Sequence, residues 1–215
     1  MRKKWMILMS LVAVFLLGLV FAGPIMSNVE QPAYDVEQSD GAIEIRQYAP
    51  RLVAYVTVPG AREDAIGDGF SLLADYIFGN NKAAAKIAMT APVQQAQPSA
   101  QNEQVKIAMT APVQQTESRD GWRVQFVMPA EYTRETLPEP VNKQVQIEQI
   151  GSQKQAAIRF SGSGTNENMM KHEKKLRAYL AQSQREIISG PNYAFYNPPW
   201  TLPIMRRNEV MFEVR

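Results

Sequence analysis

Few residues in this chain have the chemistry for acid–base, nucleophilic or metal work. The 215-residue sequence contains no Cys and a single His. That excludes a Cys-His nucleophile pair, a tetrahedral Cys/His zinc site and an HExxH helix. His172 stands in Met169-Met170-Lys171-His172-Glu173-Lys174-Lys175-Leu176. Three residues after Met169 and four before Leu176, it falls on or beside an apolar helical stripe that continues to Leu180. From there one ring nitrogen could ligate a heme iron. The ordinary alternative is a boundary residue that hydrogen-bonds locally. A Ser-His-Asp set would have to recruit the same histidine, and no GxSxG elbow accompanies it. Neither a GxxxxGK[ST] phosphate loop nor a GxGxxG after a strand occurs. Asp64, Asp68 and Asp75 fall on the outer side of one predicted helix, as solvated carboxylates do.

The other chemistry-bearing stretch is a string that occurs twice. Lys86-Ile87-Ala88-Met89-Thr90-Ala91-Pro92-Val93-Gln94-Gln95 returns letter for letter as Lys106 to Gln115. Its Lys, Met and Thr contain no acid–base or nucleophile pair. Ile, Met, Ala and Val alternate with Lys, Ala, Thr and Pro, a period of two that predicts strands with one apolar face. Two such strands joined by the polar stretch Ala96 to Val105 would make a hairpin, with Ile87, Met89, Ile107 and Met109 sharing a face. Thioethers are possible axial ligands, but Met89 and Met109 also suit the wall of a pocket for a large flat or flexible apolar ligand.

The formal charge is +2. Removing Arg2, Lys3 and Lys4 from the 23 basic residues leaves 20 against 21 acidic ones, so the body carries −1. Such a balance, without a Lys/Arg cluster, argues against nucleic acid and against an anionic membrane surface as partner of the folded part. Those three cations precede an uncharged apolar run, Trp5 to Ala22, whose eighteen residues suffice to cross a bilayer core. The basic flank predicts a cytoplasmic N-terminus. A cleavable secretory signal is the competing reading, since Val20 and Ala22 occupy suitable positions before Gly23. Residues 1–26 are therefore read as a signal peptide or transmembrane anchor, 27–32 as a linker and 33–215 as one domain on the non-cytoplasmic side, tethered or released.

The elements that position these residues follow from periodicity. Strands are predicted at Tyr34–Glu37, Ile43–Tyr48 and Arg51–Val58, the first two joined by the turn signal Ser39-Asp40-Gly41. A helix runs from about Arg62 to Phe78, with Ile66, Phe70, Leu73 and Ile77 on one face and Gly79 as its stop. Gly67 and Gly69 inside it each cost about 1 kcal/mol relative to Ala, which suggests a close approach to the helix backbone. Trp122–Met128 is a further strand, and Pro129–Pro140 is irregular. Strands at Val145–Ile150 and Gln155–Phe160 follow, then a helix capped by Thr165 or Asn166 and running to about Gln184. Strands from Tyr193 and over Glu209–Val214 close the chain. Two strands, a helix and two strands, twice over, predict a single α+β domain: a curved, mostly antiparallel sheet or distorted barrel with two helices against it.

Several of these stretches are also specific enough to carry a family resemblance. Gly79-Asn80-Asn81, the two strings Lys86–Val93 and Lys106–Val113, and Trp122-Arg123-Val124-Gln125-Phe126-Val127-Met128-Pro129 resemble the SOUL heme-binding family. So do Tyr132…Leu137-Pro138, Arg159-Phe160-Ser161-Gly162 and Tyr196-Asn197-Pro198-Pro199-Trp200…Arg206-Arg207-Asn208-Glu209. The similarity runs in order from about residue 33 to the end, and the doubled string looks like the bacterial branch. The resemblance implies a distorted, mostly antiparallel β-barrel with two flanking helices, built from two β-α-β-β halves and here preceded by an N-terminal hydrophobic helix. Drug-binding domains of multidrug-responsive regulators share that architecture. It also implies a heme or other tetrapyrrole ligand in an apolar groove beside the first helix and the loop before the last strand. Carried onto this chain, the groove involves Phe70, Leu73 and Ile77 with Tyr196 and Trp200, and His172 is the candidate axial ligand. Basic residues of the first helix meet the propionates in the family's proposal; this helix offers Asp68 and Asp75, with Arg62 only at its start.

The function expected is a non-catalytic heme or tetrapyrrole carrier, buffer or sensor outside the cytoplasm. The alternatives are a binder of other flat or lipidic apolar molecules, a hydrolase acting on an apolar substrate, and a purely structural or interaction protein.

Overall fold

The computed structural model describes residues 29–82 and 106–215. The hydrophobic N-terminal segment and the first copy of the repeated string, with Ile87 and Met89, lie outside the described residues. The elements are β1 (Tyr34–Asp40), β2 (Ile43–Tyr48), β3 (Arg51–Val58), α1 (Arg62–Ile77), β4 (Asn81–Lys82), β5 (Val113–Ser118), β6 (Gly121–Val127), β7 (Glu139–Pro140), β8 (Gln146–Ile150), β9 (Gln153–Phe160), α2 (Asn166–Gln182), β10 (Ile187–Phe195), a 3-10 turn (Pro203–Met205) and β11 (Asn208–Val214). Alternation predicts β2 and β3 to the residue, and Thr165 caps α2, its hydroxyl accepting from the Asn168 N–H at 3.5 Å. β10 starts at Ile187 rather than Tyr193 because irregularities in its pairing, spanning Gly190-Pro191, break the alternation that would reveal its first half.

β4 and β7 form a small separate ribbon; the other nine strands make one sheet in the order β1-β2-β9-β11-β10-β5-β6-β3-β8, antiparallel throughout. Leaving β1 aside, exchange of β2, β3, β5 and β6 with β8, β9, β10 and β11 reverses this order into itself. A pseudo-two-fold axis therefore passes between β5 and β10. Each β-α-β-β unit supplies three contiguous strands, β3-β6-β5 or β9-β11-β10, and the preceding strand, β2 or β8, adds to the other unit. The halves are interlocked.

Two expectations change here. The hairpin expected of the twin strings involves a first copy outside the described residues; in the second copy Lys106–Thr110 is not strand, and both edges of β5, which holds Val113–Gln115, are taken by β10 and β6. Ile107 and Met109 do face the α1 core, and the Ile107 N–H donates to the Ile77 carbonyl at 2.8 Å. The barrel is not closed. β2 and β3 stand second and eighth in the order yet are joined by Ala49-Pro50 alone, and β8 and β9 by Gly151-Ser152. The sheet must curl to bring these ends together. The terminal strands β1 and β8 do not pair with each other, and Pro50 at the β2–β3 corner has no N–H to donate.

The two helices pack on one face of the sheet, α1 over β3 and β6, α2 over β9, β10 and β11. The middle of the opposite face is buried without any helix on it, by the curl of the sheet: Val53, Ala157, Ala194 and Met211 are inaccessible there. So are polar residues. The Glu209 carboxylate, fully buried, accepts from Arg46 at 2.7 and 3.0 Å, from the Tyr196 hydroxyl at 2.8 Å and from Arg207 at 2.7 and 3.0 Å. Arg46 also pairs with Glu44 at 2.8 Å, so two guanidinium and two carboxylate groups balance. Burial opposes ionisation of Glu209. The hydrogen bonds and charge of Arg46, then of Arg207, outweigh it and hold the carboxyl below its ordinary 4.5.

Close approach also decides how α1 sits. A Cβ on Gly69 would lie 2.6 Å from the Val124 Cβ, so the helix rests its backbone on β6 at this residue; nothing stands within 4 Å of such an atom on Gly67. The buried face is consequently Ala65, Gly69, Leu73, Tyr76 and Ile77, turned by about a residue from the predicted stripe.

Two stability tests follow from this packing. Gly69→Ala should lower stability by about 1–3 kcal/mol through overpacking, whereas Gly67→Ala should raise it by up to about 1 kcal/mol through helix propensity; urea denaturation of both variants measures the contrast. A carboxyl whose folded pKa lies below its unfolded one stabilises above the unfolded value and loses that contribution as pH falls through the folded one. Thermal melts should therefore show wild-type stability dropping on acidification below 4.5, with Glu209→Gln less stable at neutral pH and less sensitive to acid.

Candidate functional site

The axis that relates the two halves also opens a cleft. Because α1 and α2 cover the outer strands of each unit, β5 and its neighbours form a strip between them. Register places side chains on this strip in rows. Phe126, Val113 and Phe195 lie side by side on β6, β5 and β10, and Val124, Gln115 and Tyr193 make the next row. Trp122 follows on β6 and touches the apolar clusters under both helices, its ring 6.3 Å from that of Tyr193. Val113, Phe195 and Trp122 are each half-buried. The rotation of α1 imposed by Gly69 stands Phe70 on the rim of this strip. It is 36% exposed and meets Phe126 edge-on at 5.4 Å. Such partly exposed aromatic edges bind flat apolar groups by stacking and burial.

A polar staple crosses the cleft. Arg62, the first residue of α1, donates to the Gly164 carbonyl at 2.7 Å and to the Asn166 side chain, both at the start of α2. Its own carbonyl accepts from the fully buried Gln115 amide at 2.8 Å. The Tyr193 hydroxyl, pushed up by burial and by its bond to Glu173 (2.8 Å), stays protonated at neutral pH. Arg62 therefore serves the fold: its guanidinium is turned inward and 5.5 Å from the Tyr193 ring.

The six residues expected at the site do not converge. Leu73 and Ile77 are fully buried under α1 and back the wall on which Phe70 stands. Tyr196 lies on the other face of the sheet with Ala111, Ala157, Ala194 and Met211, bonded to Glu209. Trp200 is 61% exposed in the β10–β11 loop. His172 faces away from α1. Its ring stacks on Phe160 of β9 at 3.8 Å and 3°, and β9 is two strands farther from the axis than β10. Its Nδ1 lies 2.8 Å from the Asn168 carbonyl, an acceptor, so the neutral ring carries its proton there and leaves Nε2 with a free lone pair. Burial first of all pulls its pKa down, which favours that neutral form. The ring's chemistry suits ligation, but its position is outside the cleft. Among the described residues no group of three or more His, Asp or Glu could hold a metal ion.

Sequence reasoning missed Trp122, Phe195, Gln115 and Glu173 as neighbours. Each pairing depends on strand register or on how α2 docks, and only the odd polar Gln115 among apolar positions carried a signal.

The comparisons agree with this architecture. The C-terminal domain of EcmrR is 9% identical, with 85% of this chain and 98% of that one covered at a TM-score of 0.51. EcmrR in its DNA complex gives 8%, 80% and 57% at 0.55. A hydrolase from Listeria innocua gives 9%, 83% and 94% at 0.51. At such identities the likeness is one of fold alone. No relative was found among curated proteins. The family model of the SOUL heme-binding protein matches residues 29–105 and 98–213, which together span both halves of the interlocked sheet. The chain belongs to the SOUL heme-binding protein family.

Proposed function

We propose that the protein is a non-catalytic binder of heme or a related tetrapyrrole, and that the ligand lies along the interhelical cleft against Phe70, Val113, Trp122 and Phe195. The observation that carries this reading is the row of partly exposed aromatic edges on the pseudo-two-fold axis of a chain in a heme-binding family. Those side chains fit a flat apolar macrocycle, because each 100 Å² of apolar surface removed from water contributes about 2.5 kcal/mol. Leu73 and Ile77 act from behind, by keeping Phe70 in place. The iron bond is not assigned to His172, whose ring is stacked on Phe160 away from the cleft. Arg62 is not assigned to the propionates, since its donors are spent on Gly164 and Asn166. When bound, heme would supply redox or gas-binding chemistry; the chain's own part is burial and orientation.

The localisation belongs to the same proposal: a domain held on the non-cytoplasmic side by the N-terminal apolar segment, or released there after cleavage. Among the described residues no helix is long and apolar enough to cross a membrane.

Titration of purified protein with hemin should give a saturable shift of the Soret band. Phe70→Ala, at a rim position that packing tolerates, should weaken binding at least about fivefold, the effect of losing roughly 1 kcal/mol of stacking. His172→Ala should leave the spectrum and the affinity unchanged. A signal no larger than that of an unrelated soluble protein would reject the proposal. A different apolar molecule recovered from the native protein by mass spectrometry would replace tetrapyrrole with that ligand class.

A further inference from the structure

The β10–β11 loop exposes its largest apolar side chains while being rigidly held. Trp200, Leu202 and Ile204 are 61%, 43% and 82% exposed. Between them Thr201 is buried, its N–H bonded to the Pro198 carbonyl at 3.0 Å. Arg206 donates to the carbonyls of Thr201 (2.7 Å) and Pro199 (2.5 Å), and the Gly162 N–H donates to the Pro203 carbonyl at 2.8 Å. A loop pinned at this many points cannot fold its apolar side chains back onto the domain. Exposed clusters of that kind mark a surface that is covered in use.

The root of this loop is also where the chain enters the domain from its N-terminal side. Val29 packs against Ala111, Tyr196 and Met211. The Glu30 carbonyl accepts from the Ala111 N–H at 2.9 Å, its carboxylate from the Ala130 N–H at 2.8 Å, and Gln31 from Arg207 at 3.1 Å. Residues 29–31 of the expected linker are thus part of the domain, fixed against the cluster that holds Tyr196, four residues before Trp200 in the chain. Only Gly23 to Asn28 separate Val29 from the apolar run Trp5–Ala22. Six extended residues reach roughly 20 Å. If that run lies in a bilayer, the end of the domain that carries Trp200 and Ile204 is held against the bilayer surface.

We infer that Trp200, Leu202 and Ile204 insert into the interfacial layer of the lipid bilayer that anchors the chain. Trp suits this layer, with an apolar ring and a polar N–H. Arg206, whose guanidinium is held by the Thr201 and Pro199 carbonyls, fixes the loop, so the docking rests on apolar insertion and not on attraction to anionic headgroups, in keeping with the near-neutral body. The inference rests on the reading of the N-terminal segment as a membrane anchor and is independent of the ligand in the cleft.

Because the chain has no Cys, one engineered thiol gives a unique label. Ile204→Cys and, as the distal reference, Asp120→Cys in the β5–β6 turn would each carry a nitrobenzoxadiazole probe on the full-length protein. The proteins would be reconstituted in vesicles of phosphatidylcholine and phosphatidylglycerol containing doxyl-labelled lipid. The probe at residue 204 should emit at shorter wavelength and be quenched about twofold or more relative to residue 120, as expected for side chains a few ångströms into the acyl boundary. Equal quenching at both sites in protein that floats with the vesicles would overturn the docked loop while leaving the anchor standing. Protein that fails to float would overturn both.

Discussion

The structure depends on one buried carboxylate. Curling the sheet takes the middle of its helix-free face out of reach of water, and there Arg46 from β2 and Arg207 from the turn into β11 converge on a single carboxylate. An unpaired charge in such a place costs several kcal/mol, and one partner alone is worse than none. Glu209 meets both cations and the Tyr196 hydroxyl, and Arg46 reaches it across the intervening β9. The pair thereby joins a strand of the first half to the last strand of the second. The strand exchange between halves and this ion cluster enforce the same geometry.

On the helix-bearing face the constraint is of another kind. Arg62 ties the start of α1 to the start of α2 and to Gln115 on the central strand, which fixes the two helices relative to the strip between them. The strip left between them is half-covered, which is why Trp122, Val113 and Phe195 keep accessible edges. Gly69 completes the arrangement by letting α1 sink onto Val124 and turning Phe70 outward. A polar staple and a missing side chain together make an apolar cleft.

The molecule thus separates its tasks by face and by end. Charge balance is inside the curl, ligand-sized apolar surface lies between the helices, and a second apolar cluster stands at the strand ends beside Val29. Tyr196 and Trp200, four residues apart in sequence, serve different surfaces: the first turns into the charge cluster and the second into solvent. A motif that reads as one unit in the chain is divided by the backbone into two functions.

The sequence by itself determined the element order and most element boundaries. Alternation at Arg51–Val58, the spacing of Leu73 and Ile77, and the Thr165 cap are local patterns that burial and hydrogen bonding read in the same way wherever the segment lies. It also held the family, through strings such as Trp122–Pro129, and hinted at Gly69. It did not determine which strands are neighbours. The twin strings looked like partners because they are alike, yet β5 has both edges taken by β10 and β6. The resemblance implied a barrel, yet the sheet runs in open order from β1 at one edge to β8 at the other. His172 looked like a ligand because of its helix face, and only the docking of α2 on β9 turned that face away from the cleft. Local periodicity reports which side of an element is apolar. Which element covers that side is decided by long-range register and by competition for strand edges, and those exist only once the whole chain has folded.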